Sequence, residues 1–308
     1  MKKLVIVLLL LTIAAIVGGA VYESKQEDKD AAAYKPTGTL VDAGGRKLHI
    51  VCAGQGAPTV IFESSALSSS TEWEKLLPEV GKEHRACAYD RPGMGWSEPV
   101  SGDRTASDFV EELRGALTAA GEKPPYVLVG HSAGGALVRA FAAAHPSDVV
   151  GLVLVDSATA SVLARWPKTL AKMRSNLSRG RWLAAVALLR LANPLRLDGR
   201  DAALTYRPRT MIAADQVVGA AAAILPSLPP TTTVPTVVLT HGRGGDWAGP
   251  GVIGPLDEAA IEYDWQAAQK ELAKGPQSSL VVAEKSGHMI PAEEPDLVIQ
   301  AIRTVTKH

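Results

Sequence analysis

The sequence predicts an α/β domain, a mostly parallel central sheet flanked by helices, with a helical cap inserted into it. Two observations predict this. Short β-branched or apolar runs bounded by turn residues, Thr59–Phe62, Arg85–Tyr89, Tyr126–Val129, Gly151–Val155, Thr236–Thr240 and Ser279–Val282, alternate with helical patterns, as buried parallel strands do. The interval 158–232 then breaks that rhythm, because it offers Ala/Leu-rich helical stretches, among them Trp182–Ala192 and Met211–Leu225, and no convincing strand.

In chain order the first element is membrane-directed. Lys2 and Lys3 precede an uncharged run from Leu4 to Tyr22, and a charged stretch, Glu23–Asp30, follows it. That run is closer to the ~20 residues of a spanning helix than to the ~7–15 of a signal-peptide core. A retained anchor is therefore expected over 1–22, with cleavage after Gly18-Gly19-Ala20 as the alternative. The leading lysines favour an inside N-terminus and an exported body, so the chain is expected to be membrane-anchored or secreted with an extracytoplasmic catalytic domain. Residues 23–36 are mostly polar and read as a linker. The core's first part, 37–157, opens with a hairpin of Gly38–Ala43 and Lys47–Val51 about Gly44-Gly45. Helical patterns follow at Glu72–Lys82, Ser107–Ala120 and Ala133–His145, and in the second part of the core, 233–308, at Ala259–Leu272 and Pro295–Val305.

Charge narrows the partners. Lys+Arg and Asp+Glu both total 32 in 308 residues, which leaves no global footprint for nucleic acid. The cap alone carries eleven Lys/Arg against Asp198, Asp201 and Asp215, a net +8. It reads either as a solvated face or as a surface for anionic lipid or an acidic substrate. Cys52 and Cys87 suit one bridge in an oxidising compartment, or equally two small buried apolar side chains.

The chemistry is carried by Gly130-His131-Ser132-Ala133-Gly134, directly after a strand and directly before a helix. A serine at such an elbow projects its hydroxyl clear of the sheet, and the helix N-terminus with the Ala133 amide favours developing negative charge. A serine hydroxyl needs a positioned base. His288, in Ser286-Gly287-His288 after the last strand, is placed to supply it at the C-terminal edge of the sheet. Two aspartates end suitable strands and are candidates to orient it, Asp156 and Asp246, of which Asp156 is preferred.

Three segments together resemble the α/β-hydrolase superfamily, in particular its exported serine esterase-like members, over Lys35–Val305. They are Gly130-His131-Ser132-Ala133-Gly134-Gly135, the loop Tyr89-Asp90-Arg91-Pro92-Gly93-Met94-Gly95-Trp96-Ser97, and Ser286-Gly287-His288-Met289-Ile290-Pro291. The resemblance implies the α/β-hydrolase fold, a structural role for the Asp90–Ser97 loop, and a second oxyanion donor at the Ala66 amide. Ser65 stands where the superfamily leads one to expect glycine, and serine accepts positive φ less readily. For the acid, most members resemble the Asp246 placement and a minority the Asp156 one. In this chain His241-Gly242-Arg243-Gly244-Gly245-Asp246 is one residue longer than usual.

The expected activity is hydrolysis of small or medium hydrophobic carboxylic esters through an acyl-enzyme, with no metal or organic cofactor implied. Serine at the elbow argues against the aspartate-nucleophile relatives that cleave haloalkanes or epoxides. Amide or peptide cleavage by the same triad, and a catalytically inactive hydrolase scaffold that binds a partner, are the alternatives.

Overall fold

The computed structural model describes residues 2–229, 231–244 and 258–307. Eight strands form one sheet: β1 (Thr39–Asp42), β2 (Lys47–Ala53), β3 (Thr59–Glu63), β4 (Ala86–Tyr89), β5 (Tyr126–His131), β6 (Val149–Val155), β7 (Thr236–His241) and β8 (Ser278–Ala283). Their spatial order is β1-β2-β4-β3-β5-β6-β7-β8. The β1–β2 and β2–β4 pairs are antiparallel and all the others parallel. The expected mostly parallel sheet, with a hairpin at its start, is therefore what the chain builds.

Alternation along the central strands explains how both faces are covered. Leu128 of β5 and Leu152 and Leu154 of β6 enter one apolar layer with α3 (Ala106–Ala119) and α4 (Ala133–Ala144). Val127, Val129, Val153 and Val155 enter the layer on the other face with Trp73, Leu77 and α12 (Pro295–Val305). Helix α12 presents Val298, Ala301, Ile302 and Val305 at spacings of three and four, a single apolar stripe. Thr105 and Asp108 close a capping box that starts α3.

The cap consists of α5 (Ala160–Arg165), α6 (Pro167–Ala185), α7 (Leu188–Ala192), α8 (Gly199–Thr205) and α9 (Pro208–Ile224). Its apolar side, with Leu177, Met211, Ala214, Val217 and Val218, packs onto Ala66, Met94, Ala133 and Leu137 of the core. Two of the expected helices are broken. Over 72–82 the chain forms a 3₁₀ turn, Ser70–Trp73, and a single turn of helix, α2 (Leu77–Val80), because Pro78 can open a helix but not continue one. Over 182–192 a break at Ala187, whose φ is +63°, separates α6 from α7.

Of the segment expected as a linker, 23–36, all but the last three residues are helical. Helix α1 runs unbroken from Lys2 to Ala33, and its polar end docks on the cap. Glu23 and Asp30 are buried and both pair with Arg190, at 2.8 and 3.0 Å. The adjoining Tyr34 carbonyl accepts from Trp96 Nε1 at 2.8 Å. Besides Arg190, Arg165 and Arg200 pair with acids outside the cap, Asp264 and Glu74; Arg174 pairs with Asp215 inside it, and Arg207 and Arg209 donate to the Gly95 carbonyl. Cys52 and Cys87 face each other across β2 and β4 and form a disulfide.

Candidate active site

Ser132 sits at the turn from β5 into α4 with φ +54° and ψ −120°, a conformation a non-glycine residue holds only where its surroundings enforce it. Here they do. The Ser132 amide donates to the Val155 carbonyl at 3.0 Å, and the Ser132 carbonyl accepts from Ala158 N at 3.0 Å, so the elbow is tied to the end of β6 on both sides. The small residues after it let three segments meet. A Cβ on Gly134 would lie 2.4 Å from the Ser64 carbonyl oxygen, and one on Gly135 only 2.0 Å from Ser157 Oγ. The first approach brings the start of α4, with Ala133, against the loop after β3 that carries Ala66.

That loop is clamped from two directions. The Arg91 guanidinium donates to Glu63, to the Ser64 carbonyl at 2.7 Å, to the Ser65 carbonyl and to the Ser68 carbonyl at 3.2 Å. Glu72 accepts from the Ser65 amide at 2.9 Å. Ser65 itself lies outside the described non-glycine residues with positive φ, so serine at this position carries none of the strain that its replacement of glycine led one to expect. Arg91 belongs to the Asp90–Ser97 loop, whose Asp90 is tied to Ser70 N at 2.7 Å, Trp96 N at 2.9 Å and His49 Nδ1 at 2.9 Å. The loop thus braces the site without presenting a proton-transfer group to it.

Asp156 ends β6, fully buried, and its Oδ2 lies 2.6 Å from His288 Nδ1. The structure therefore brings Asp156 and His288 together, while Asp246 lies outside the described residues. Asp156 serves more than one partner. Trp265 Nε1 donates to its Oδ1 at 2.8 Å, and His241 Nδ1 lies 2.8 Å from the same Oδ2 that His288 approaches. Trp265 and Glu262 lie three residues apart on α10 (Glu258–Leu272), hence on one helix face, and Glu262 Oε2 sits 2.9 Å from His241 Nε2. The Trp265 ring also stands edge-on to His288, with centroids 5.8 Å apart.

The protonation pattern follows from these contacts. Burial works against charge on Asp156, but the hydrogen bonds and charges of His241 and His288 outweigh it and hold the carboxyl well below the usual carboxylate range. Burial likewise opposes charge on His241, yet both ring nitrogens face carboxylates, and Asp156 and Glu262 carry its pKa up to about 9. His241 is an imidazolium at neutral pH. His131 is shifted in the same direction. Its Nδ1 meets Glu72 and its Nε2 meets the His288 carbonyl at 2.9 Å, and Glu72 raises its pKa against the effect of burial. His288 goes the other way. Burial first, then the charges of His131 and His241, keep it below the ordinary histidine value despite Asp156. A base that is neutral near pH 7 is what proton abstraction from a serine needs.

Ligand atoms of Asp156, His241 and His288 all lie within 4.8 Å of one another, the one described cluster at the site with the residue types of a metal centre. Both imidazole Nδ1 atoms point at the carboxylate as hydrogen-bond partners. The donor set fits a hydrogen-bonded relay. His241, His131, Glu72, Trp265 and Glu262 were not singled out from sequence. The only local signal is that His241 follows a predicted strand and His131 lies inside the elbow.

The sequence pattern of the Alpha/beta hydrolase family matches residues 50–301, which include Ser132, Asp156, His241 and His288. The chain belongs to that family. As an alpha/beta hydrolase it is 33% identical over 138 residues to the YbdG protein of Bacillus subtilis (strain 168), a match covering 44% of this chain and 42% of that protein. It is 32% identical over 127 residues to the 2-hydroxymuconate semialdehyde hydrolase of Pseudomonas sp. (strain CF600), covering 40% and 44%. In both cases the match spans less than half of the relative's length. Among solved structures, a thermophilic esterase from Thermogutta terrifontis superposes with a TM-score of 0.61 at 24% identity, covering 86% of this chain and 95% of that one, a likeness of fold.

Proposed function

We propose that this alpha/beta hydrolase is a serine hydrolase that cleaves carboxylic esters with a hydrophobic part, held at a membrane by α1. The observation that carries the reading is the 2.6 Å contact between Asp156 and His288 in the fold that also puts Ser132 on a strained elbow. Ser132 Oγ attacks the ester carbonyl carbon and His288 takes its proton through Nε2, while Asp156 holds the imidazole by Nδ1. The tetrahedral oxyanion is received by the Ala66 and Ala133 amides at the helix N-terminus. Collapse expels the alcohol, which leaves with the proton from His288. Water, deprotonated by the same histidine, then attacks the acyl-serine; the bond from the acyl carbon to Ser132 Oγ breaks, His288 returns the proton to that oxygen, and the acid is released. The apolar underside of the cap over Ala66 and Ala133 favours a substrate with a hydrophobic acyl or alcohol group.

Two features support retention of α1 as an anchor. Its uncharged run, 4–22, extends ~28 Å at 1.5 Å per residue, close to the hydrocarbon thickness of a bilayer. No part of its most apolar stretch is buried against the rest of the chain, whereas its polar end is bound to Arg190. The Pseudomonas relative's hydrolase name agrees with the reaction class, as does the esterase likeness of fold.

The test is covalent labelling of the full chain in detergent with a fluorophosphonate, comparing wild type with Ser132→Ala and His288→Ala and locating the adduct by mass spectrometry. Adduct at Ser132 that is absent in both variants, together with turnover of p-nitrophenyl esters, supports the reading. A folded wild type that does not label refutes it, and labelling accompanied by turnover of anilides but not esters moves the reading to an amidase.

A further inference from the structure

Helix α1 supplies a depth scale. Each residue advances it 1.5 Å, so the water boundary marked by Glu23, the first charge after the apolar run, lies about 6 Å beyond Gly19. Gly19 is in contact with the cap: a Cβ there would lie 2.5 Å from the Val186 carbonyl oxygen and 3.2 Å from Val186 Cα. The turn between α6 and α7 therefore stands at the level of the apolar part of α1, on the bilayer side of the Glu23–Arg190 pair.

The residues flanking that turn match this depth. Trp182, Leu183, Leu188 and Leu191 are exposed, Trp182 to 66% and Leu191 to 68%. Among the described residues, ten large apolar side chains outside α1 are exposed, and these four fall within ten consecutive positions. A patch gathered in that way marks an interaction surface, whereas single exposed apolar residues do not. Beside it stand Arg179 and Arg181, both exposed and, among the described residues, in no ion pair; the Arg181 guanidinium lies 5.0 Å over the Trp182 ring. Tryptophan and long basic side chains are the residues that settle at headgroup level.

We infer that the cap tip, Trp182–Leu191, dips into the same bilayer that α1 spans and forms a second, monotopic membrane contact. The inference rests on α1 being a retained anchor. Its occupant is fixed by continuity: the patch begins where the cap touches the apolar run of α1, so the lipid around that helix meets these side chains first. Arg179 and Arg181 add attraction for anionic headgroups, while most of the other cap arginines are committed to docking within the protein.

The test uses the full chain in vesicles of phosphatidylcholine and phosphatidylglycerol. The native cysteines are bridged, so a single added cysteine can be labelled with an NBD fluorophore at Leu191→Cys, at Val17→Cys within α1, or at Tyr263→Cys, which is exposed on α10. Nitroxide on the upper acyl chain of the lipid then reports contact. The expected result is blue-shifted emission at 191, more than half of it lost to nitroxide, as at 17, with neither effect at 263. Quenching at 17 with water-like emission at 191 overturns the inference and leaves the anchor standing. Absence of quenching at 17 refutes the anchor itself, and the inference with it. A blue shift at 191 that nitroxide does not quench shows the patch covered by a second copy of the chain, which also overturns it.

Discussion

Replacing His241 by glutamine removes a positive charge beside the base while keeping a donor for Asp156. The two imidazoles lie 2.6 and 2.8 Å from one carboxylate oxygen, so their Nδ1 atoms are at most 2.6 + 2.8 = 5.4 Å apart. At an effective dielectric constant of about 20, two unit charges at that separation repel by ~3 kcal/mol. Glu262, bound to the far nitrogen of His241, offsets part of this. If about half survives, protonation of His288 is disfavoured by ~1.4 kcal/mol, about one pH unit. Under the proposed mechanism His288 must be neutral to act, and the variant's His288 protonates more readily. The acidic limb of the kcat/KM profile should therefore move up by about one pH unit in His241→Gln, with the plateau at higher pH little changed. The assay is initial-rate hydrolysis of a p-nitrophenyl ester, read by stopped flow across the pH range, with thermal melts to verify folding. An acidic limb that stays in place, or moves down, would show that His241 carries no charge in the working enzyme and refute the argument.

Asp156→Asn should lower kcat by roughly three to four orders of magnitude, as loss of a triad acid does, and should also destabilise the fold by about 3–5 kcal/mol because His241 is left as a buried cation with a weakened partner; rates and urea midpoints measure both. Glu72→Gln should lower kcat about ten- to a hundredfold with KM little changed, since it slackens the Ser65 amide and the His131 support of the His288 loop together, and steady-state kinetics separate the two constants. Stability itself should fall between about pH 6.5 and pH 9. The raised pKa of His241 contributes stability that is complete below its unfolded value and lost as pH rises through about 9, so urea midpoints should decline across that window in wild type and flatten in His241→Gln. Removing the disulfide by Cys52→Ala with Cys87→Ala, a sequence separation of 35, should cost up to about 4 kcal/mol by the loop-entropy estimate, measured by the same titration.

The meeting of Asp156 with His288 was foreseeable from the sequence because Asp156 directly follows β6 and His288 lies in the loop after β8, and apolar runs stop where strands do. The sheet and the cap were legible for the same reason. Partners that meet only through tertiary packing were not. Nothing near His241 in the sequence announces Asp156, 85 residues earlier, or Glu262 on another element. Glu72 appeared as one position in a helical pattern, and only the break before Pro78 turns its carboxylate to His131 and Ser65. The polar composition of 23–36 read as a linker because the partner that holds its helical part, Arg190, lies 167 residues away from Glu23. The cap's net +8 overstated its free charge, since counting residues cannot show that Arg165, Arg190 and Arg200 pair with acids outside the cap.

The unbroken course of α1 has a mechanical meaning. A flexible leash would let the body sweep a hemisphere above its attachment point and sample soluble substrate in every direction. A helix that stays rigid from Glu23 to Ala33, about 15 Å, and is riveted to the cap leaves one standing height and one heading. Under the proposed anchoring the protein keeps only rotation about the membrane normal and lateral drift, and its encounters with amphiphilic esters become a two-dimensional search.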